Sequence, residues 1–297
     1  VSLEAILAHW NLVHAKAEEI HQSTWVVDEQ YILKSGTNLQ WMNTSSELIH
    51  ALSDQGLPVA SIVRTEDGND FIAIDGTYYM MTSKLEGEHI ADIYAKDHKN
   101  AAYTLGTITA RLHMVFVHIQ HTLPCYDNDY NAEISGWVKQ TLREHTNNLL
   151  PLEQIDSCML ELARIYPALP RQLIHRDLHL ENLLFKGDQL TGYIDFDLGQ
   201  INARIFDICY LTLSFLIGNF ENKEKSIQWF EILEQLISGY DSVLPLSQLE
   251  KDAIPIMMLT IELLFVAHFT KENDPILAKS AASMFTWLWD NRNSIIV

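Results

Sequence analysis

Between residues 175 and 197 the chain sets polar, chemically capable side chains against short apolar runs. His175-Arg176-Asp177-Leu178-His179-Leu180-Glu181-Asn182 leads into Leu183-Leu184-Phe185, and Tyr193-Ile194 runs into Asp195-Phe196-Asp197. A chain of this composition would show the spacing H-x-D-x-x-x-x-N by chance only roughly 0.04 times. A second carboxylate at the end of an apolar strand, Asp195, makes coincidence rarer still. Phosphoryl transfer needs such a set. One carboxylate sits within hydrogen-bond reach of an attacking hydroxyl, and an amide oxygen with a second carboxylate holds Mg²⁺ against phosphates. On this reading Asp177 is the base and Asn182 and Asp195 are the metal pair. A competing reading takes His175, Asp177 and His179, at alternating positions, as a zinc or di-metal hydrolase site. That site would leave Asn182 and Asp195 without a role. The bland reading is turn chemistry, because Asn and Asp both favour turns.

The elements that must position these groups are legible around them. Leu173-Ile174 is a short strand before the motif. Leu183–Phe185 and Tyr193-Ile194 form a hairpin about Lys186-Gly187-Asp188-Gln189, so the polar residues crowd at one end. Upstream, residues 18–82 are β-rich, with runs at Thr24–Val27, Tyr31–Leu33, Phe71–Ile74 and Tyr78–Met81. Asp75-Gly76 is a two-residue hairpin turn, and Asp28-Glu29 turns between the first two runs. One helix interrupts them over about residues 40–55, with Trp41, Leu48, Ile49 and Leu52 on its apolar face and Gly56 as its cap. After residue 90 the period becomes helical, as in Leu105/Ile108/Leu112, Leu152/Ile155/Met159/Leu162 and Ile227/Phe230/Leu233/Ile237. The fold class is α+β: a small β-sheet lobe with one helix, residues 1–84, then a larger, mostly helical lobe, residues 85–297, that carries the hairpin. Ser83 to His89 connect them.

Composition narrows the partners. The 297 residues are 47% hydrophobic and 20% charged, which is globular make-up. With 20 basic and 39 acidic residues the net charge is −19, which disfavours nucleic acid and anionic membranes and mildly favours a cationic ligand. Cys125, Cys158 and Cys209 form no C-x-x-C, so reduced thiols in the cytoplasm are expected. The residues from Val1 to Asn11 contain no basic residue and do not resemble a secretory signal. The longest apolar stretch, Ile254 to Phe269, is broken by Glu262 and His268 and reads as a buried helix. Trp137, Trp229, Trp287 and Trp289 read as core residues. The sequence does not indicate an oligomeric state.

His175-Arg176-Asp177 through Asn182, followed by Ile194-Asp195-Phe196-Asp197, resembles the catalytic core of the aminoglycoside phosphotransferase and choline kinase superfamily. The resemblance covers about residues 18–215 and implies a bilobal protein-kinase-like fold. Tyr31-Ile32-Leu33-Lys34 resembles the family's third strand, whose lysine grips nucleotide phosphates, and Glu47 matches the acid that pairs with it. Leu57-Pro58-Val59-Ala60 resembles the lead into the next strand. Ser83 and Leu85 fall in the lobe connection, where Leu85-Glu86-Gly87 resembles the segment whose backbone binds adenine. Leu105-Gly106 through Leu112-His113 resembles the family's long helix, and Arg204-Ile205-Phe206-Asp207 the segment that follows the metal aspartate. The resemblance gives His175 a structural role and Asp207 that of ordering the catalytic loop, with Asp197 open to substrate or a second metal. Two departures stand out. The nucleotide-covering loop shrinks to His21-Gln22-Ser23-Thr24, with Ser23 or Thr24 as phosphate donors. Arg176 occupies a position where many members carry glycine. A protein kinase is excluded, because the twelve positions from Asp195 to Asp207 leave no room for an activation loop and contain no A-P-E.

The resulting expectation is an ATP-dependent kinase, with GTP as the alternative nucleotide, acting with Mg²⁺ on a hydroxyl of a small molecule. The acceptor classes are an amino alcohol, an aminoglycoside or a homoserine-like compound. The alternative function is a kinase-like protein that binds without catalysis.

Overall fold

The structure, a computed structural model, describes residues 1–145 and 149–295. The N-terminal elements are α1 (Leu3–Leu7), β1 (Ala17–His21), β2 (Thr24–Val27), β3 (Tyr31–Gly36), α2 (Leu39–Asp54), β4 (Phe71–Ile74) and β5 (Thr77–Ser83). There follow α3 (His98–Ile119), β6 (Tyr126–Asp127), α4 (Tyr130–Glu133), a π-turn at Ile134–Val138, α5 (Lys139–His145) and α6 (Leu152–Ile165). Then come β7 (Arg171–Ile174), β8 (Leu183–Lys186), β9 (Gln189–Tyr193) and β10 (Gln200–Ala203). The chain closes with α7 (Ile205–Leu216), α8 (Lys223–Asp241), α9 (Gln248–Lys271) and α10 (Pro275–Asn291). Two compact units result, each discontinuous in sequence, where the sequence suggests the consecutive segments 1–84 and 85–297. The first unit is Val1–Ile90 with His118–Cys125 and Leu180–Gly199, and the second holds the rest.

The first unit is built on an antiparallel sheet of order β1-β2-β3-β5-β4. Its turns follow from residue type. Asp75 (φ 49°) and Gly76 (φ 81°) close the β4–β5 hairpin in the left-handed region, and Asp28 and Glu29 do the same between β2 and β3. Val27, Leu33, Ile72 and Met81 pack with Ile6, Leu7 and Trp10 into one core. The β8–β9 hairpin belongs to this unit because both its strands are tied there. The backbones of Phe185 and Glu88 exchange hydrogen bonds of 2.8 and 2.9 Å, and Tyr193 N–H donates to the Pro58 carbonyl at 2.9 Å. Helix α2 starts at Asn38, whose side chain accepts the Trp41 N–H, and buries Met42, Ser45, Leu48, Ile49 and Leu52. Trp41, expected on that face, is 57% exposed, and Met42 takes its place one residue on. Leu152 and Ile227, assigned to apolar faces from their spacing, are likewise exposed, near the starts of α6 and α8.

In the second unit, β10 pairs antiparallel with β7, with Gln200 opposite Ile174, and parallel with β6. This small sheet fixes the start of the 175–179 loop and the start of α7 on adjacent strands. Helices α3 and α8 touch backbone to backbone. A Cβ on Gly106 would fall 1.9 Å from the Leu236 carbonyl oxygen, and one on Gly239 would fall 2.0 Å from that of Tyr103. Only glycine permits that approach. Helix α9, begun by a Ser247–Glu250 capping box, is apolar and long enough to cross a membrane by length and composition. Even so, 67% of its apolar window is buried, where it packs on α5, α6, α7 and α10. Trp229 is fully buried and donates to the Thr212 carbonyl at 2.8 Å, while Trp137, Trp287 and Trp289 are half-buried.

Candidate active site

In the first unit, Lys34 near the end of β3 is held by two carboxylates that follow β9. Its Nζ donates to Asp195 Oδ1 at 2.8 Å and to Asp197 Oδ2 at 3.3 Å. Burial works against the ammonium, but Asp197 and Asp195 outweigh it and hold Lys34 above the usual lysine range. Ser45, from the buried face of α2, donates to Asp197 Oδ1 at 2.9 Å. Asp195 sits at φ +65°, a left-handed conformation that costs a residue bearing a side chain about 1–2 kcal/mol. Asn182, 5% exposed, stands at the foot of β8, and its carbonyl accepts the Ile194 N–H at 3.1 Å, one residue before Asp195. The hairpin thus brings Asn182 and Asp195 together from opposite strands. Amide and carboxylate oxygens such as those of Asn182, Asp195 and Asp197 are the hard donors that Mg²⁺ chemistry takes.

The β1–β2 turn lies beside this lysine, because Thr24 is the register partner of Lys34. Ser23 occupies that turn at φ +64°, and its carbonyl accepts the Ser35 N–H at 2.9 Å. Ser83 ends β5 opposite Tyr31 and accepts the Ser61 N–H on its hydroxyl. Leu85 lies against Gly192 of β9, and the connection is tied down again where Thr191 donates to the Glu86 carbonyl at 2.5 Å. Glu47 requires a correction. It is exposed, and Lys34 is paired with Asp195 and Asp197 instead. The reason is helical phase: the inward face of α2 falls on Ser45 and Leu48, and 47 lies off it. Ser45 is the contact that sequence reasoning missed. Its only signal was a polar residue three before Leu48 on an apolar stripe.

In the second unit, Asp177 follows β7 and is only partly exposed. The Tyr210 hydroxyl of α7 donates to its Oδ1 at 2.7 Å, and His179 Nε2 lies 3.6 Å from Oδ2. Burial pushes this carboxyl up, but the bonds from His179 and Tyr210 and the nearby imidazoles prevail, leaving it below the usual carboxylate range. Asp207, fully buried in the first turn of α7, braces the loop. It accepts the backbone N–H of His175 at 2.7 Å and of Arg176 at 2.8 Å. His113 Nε2 donates to the same Asp207 at 3.0 Å while its Nδ1 accepts from the Tyr240 hydroxyl at 2.8 Å. Arg176 sits at φ +73°, which explains why a glycine suits this position. Here the guanidinium stacks 4.0 Å from the Phe206 ring centre and reaches Glu133 at 3.3 Å. His175 is fully buried. Among the described residues no group of three or more His, Cys, Asp or Glu could hold a metal, so the hydrolase triad His175, Asp177 and His179 does not form.

A lysine on a small antiparallel sheet, an Asn/Asp hairpin and an aspartate loop braced from helices make up a protein-kinase-like α+β fold. Solved structures share it. An amicoumacin kinase in complex with AMP-PNP, Ca²⁺ and Ami is 18% identical over 95% of this chain and 91% of its own, with a TM-score of 0.71. A microcompartment-associated aminopropanol kinase is 17% identical over 98% and 97%, also at 0.71. Residues 25–237 match the phosphotransferase enzyme family, and the chain belongs to that family. Homoserine kinase of Pseudomonas aeruginosa is 27% identical over 214 residues, which are 71% of this chain. The match spans 64% of that relative's length.

Proposed function

We propose that the chain is a nucleotide-dependent small-molecule kinase whose acceptor is an amino-bearing alcohol of the homoserine class. The observation that carries this is the Lys34–Asp195–Asp197–Ser45 cluster on the hairpin that also presents Asn182, in a chain of the phosphotransferase enzyme family. The homoserine kinase relatives support the acceptor class, and the −19 charge favours a cationic one. In this reading residues 1–84, with the 180–199 hairpin, serve ATP. Asp177 and the helices of the second unit serve the acceptor. The three cysteines are free thiols, as suits a reducing cytoplasm.

Lys34 would neutralise and orient the phosphates, helped by hydroxyls of the Ser23-Thr24 turn. Asn182 and Asp195 would hold Mg²⁺, which when bound spreads the charge that develops on the transferring phosphoryl group. Asp177, kept ionised by its hydrogen bonds, takes the proton of the acceptor hydroxyl as that oxygen bonds to phosphorus. The electron pair of the breaking P–O bond leaves on the nucleoside diphosphate. Calorimetry of Mg²⁺-dependent ATP and GTP binding tests the first part. A transfer assay over homoserine, an aminopropanol, choline and an aminoglycoside tests the second. Homoserine-class acceptors should give the highest kcat/KM. A folded protein that binds neither nucleotide with Mg²⁺, or that phosphorylates none of the panel, overturns the proposal.

A further inference from the structure

Asp177 sits on a loop, yet a base must hold its carboxylate within a fraction of an ångström of the reactive geometry. The loop backbone is fixed by Asp207, but that bracing ends at the N–H of Arg176. The Asp177 carboxylate itself is gripped by Tyr210, whose hydroxyl donates to Oδ1 at 2.7 Å. Tyr210 is not a loop residue. It projects from α7, its ring stacks on Phe206 with centres 5.8 Å apart and planes at 22°, and it meets Phe265 of α9 at 5.9 Å. Phe206 is pinned in turn by the Arg176 guanidinium at 4.0 Å. The hydroxyl is therefore delivered by two packed helices.

We infer that Tyr210 is a positioning residue: it orients the Asp177 carboxylate for attack, and α9 takes part in catalysis through Phe265, which sets the Tyr210 ring. This rests on the reading of Asp177 as the base. The chemistry suits the role. A phenol is a poor acid, and burial together with Asp177 makes this one poorer, so it stays a donor throughout turnover and does not take up the acceptor's proton. The charged and titratable groups about the pair are His175 and His179 on the loop, Arg176 beside it and Glu262 on α9. A purely structural tyrosine, merely finding a partner for a buried hydroxyl, would leave the rate alone.

Tyr210→Phe separates the two, because it keeps the ring and removes only the donor. The expected result is a fall in kcat of about tenfold or more. KM for the nucleotide and the Mg²⁺–nucleotide Kd should stay within about twofold, because the phosphate and metal groups are untouched. Phe265→Leu should give the same pattern at about threefold in kcat, which keeps the inference testable if Tyr210→Phe folds poorly. A Tyr210→Phe enzyme with wild-type kcat overturns the inference. So does one whose loss in kcat is matched by losses in nucleotide affinity and melting temperature. A wild-type protein that phosphorylates nothing would instead sink the kinase reading. In that case the Asp177 carboxyl ¹³C resonance still decides for Tyr210, because it should move in Tyr210→Phe and an unmoved signal refutes the contact.

Discussion

The two polar centres of this protein are built by opposite means. In the first unit Lys34, Asp195 and Asp197 meet as charges, with 29%, 39% and 44% of their side chains exposed. In the second unit Asp207, His113 and Tyr240 are buried, and the Asp177 carboxylate is steered by a hydroxyl on a packed ring. Exposed ion pairs are weak and exchange partners readily. That suits the proposed role of these groups, in which they would release one another to hold phosphate and metal. Buried hydrogen bonds satisfied on every side are rigid, which suits the base role proposed for Asp177. The strained residues fit the same division. Asp195 at φ +65° aims a carboxylate, and Arg176 at φ +73° lets the loop turn while its side chain locks into the aromatic stack.

The sharpest way to break this contrast is to remove one carboxylate from each centre. Asp177→Asn should lower turnover by about 10²- to 10⁴-fold with nucleotide affinity unchanged. Asp195→Ala should raise the Mg²⁺–nucleotide Kd by at least about tenfold. Steady-state kinetics with calorimetry would show whether the two effects separate, and equal losses of affinity would erase the distinction. Next in size is the scaffold of the second unit. Gly239→Leu should cost about 3 kcal/mol or more in urea unfolding, because the α3–α8 contact has no room for a side chain.

Glu262 sharpens the comparison from the other side. It is 2% exposed on α9, its Oε1 has no hydrogen-bond partner, and burial pushes its carboxyl well above the usual range. Burial disfavours its ionisation in the folded state, whereas the unfolded chain ionises it near pH 4.5. Its contribution therefore favours folding at low pH and is lost as pH rises from there toward the folded-state value. Glu262→Leu should gain about 1–2 kcal/mol at neutral pH and flatten the loss of stability as pH rises above 4.5. A variant less stable than wild type at neutral pH would show that the acid has a partner. The smallest effect belongs to Ser45→Ala, which should change kcat/KM for the nucleotide by about two- to fivefold through Asp197.

Much of this was open to reading in the sequence because it is local. The turn at Asp75-Gly76, the strands at Thr24–Val27 and Phe71–Ile74 and the hairpin that carries Asn182 and Asp195 depend on residues a few positions apart. Helical phase was less legible. One residue of slip separates Trp41 from Met42, and short apolar stripes do not resolve it. Glu47 was put forward as the partner of Lys34 by the family resemblance, and the two aspartates hold that lysine instead. Strands β6 and β10 carry too few residues to show a period, and their pairing is set by partners some 30 to 75 positions away.

The sequence by itself determined which side chains were put forward for the chemistry and in what order, because the H-x-D-x-x-x-x-N spacing and the following aspartate lie on one loop and one hairpin. Only the tertiary structure decided which partners hold them. Asp207 braces His175 and Arg176 from 32 and 31 residues away, Ser45 reaches Asp197 from 152 away, and Tyr210 grips Asp177 from 33 away. Nothing local encodes such contacts. They arise when the sheet and helices bury their apolar faces and leave each polar group the one partner that packing brings within reach.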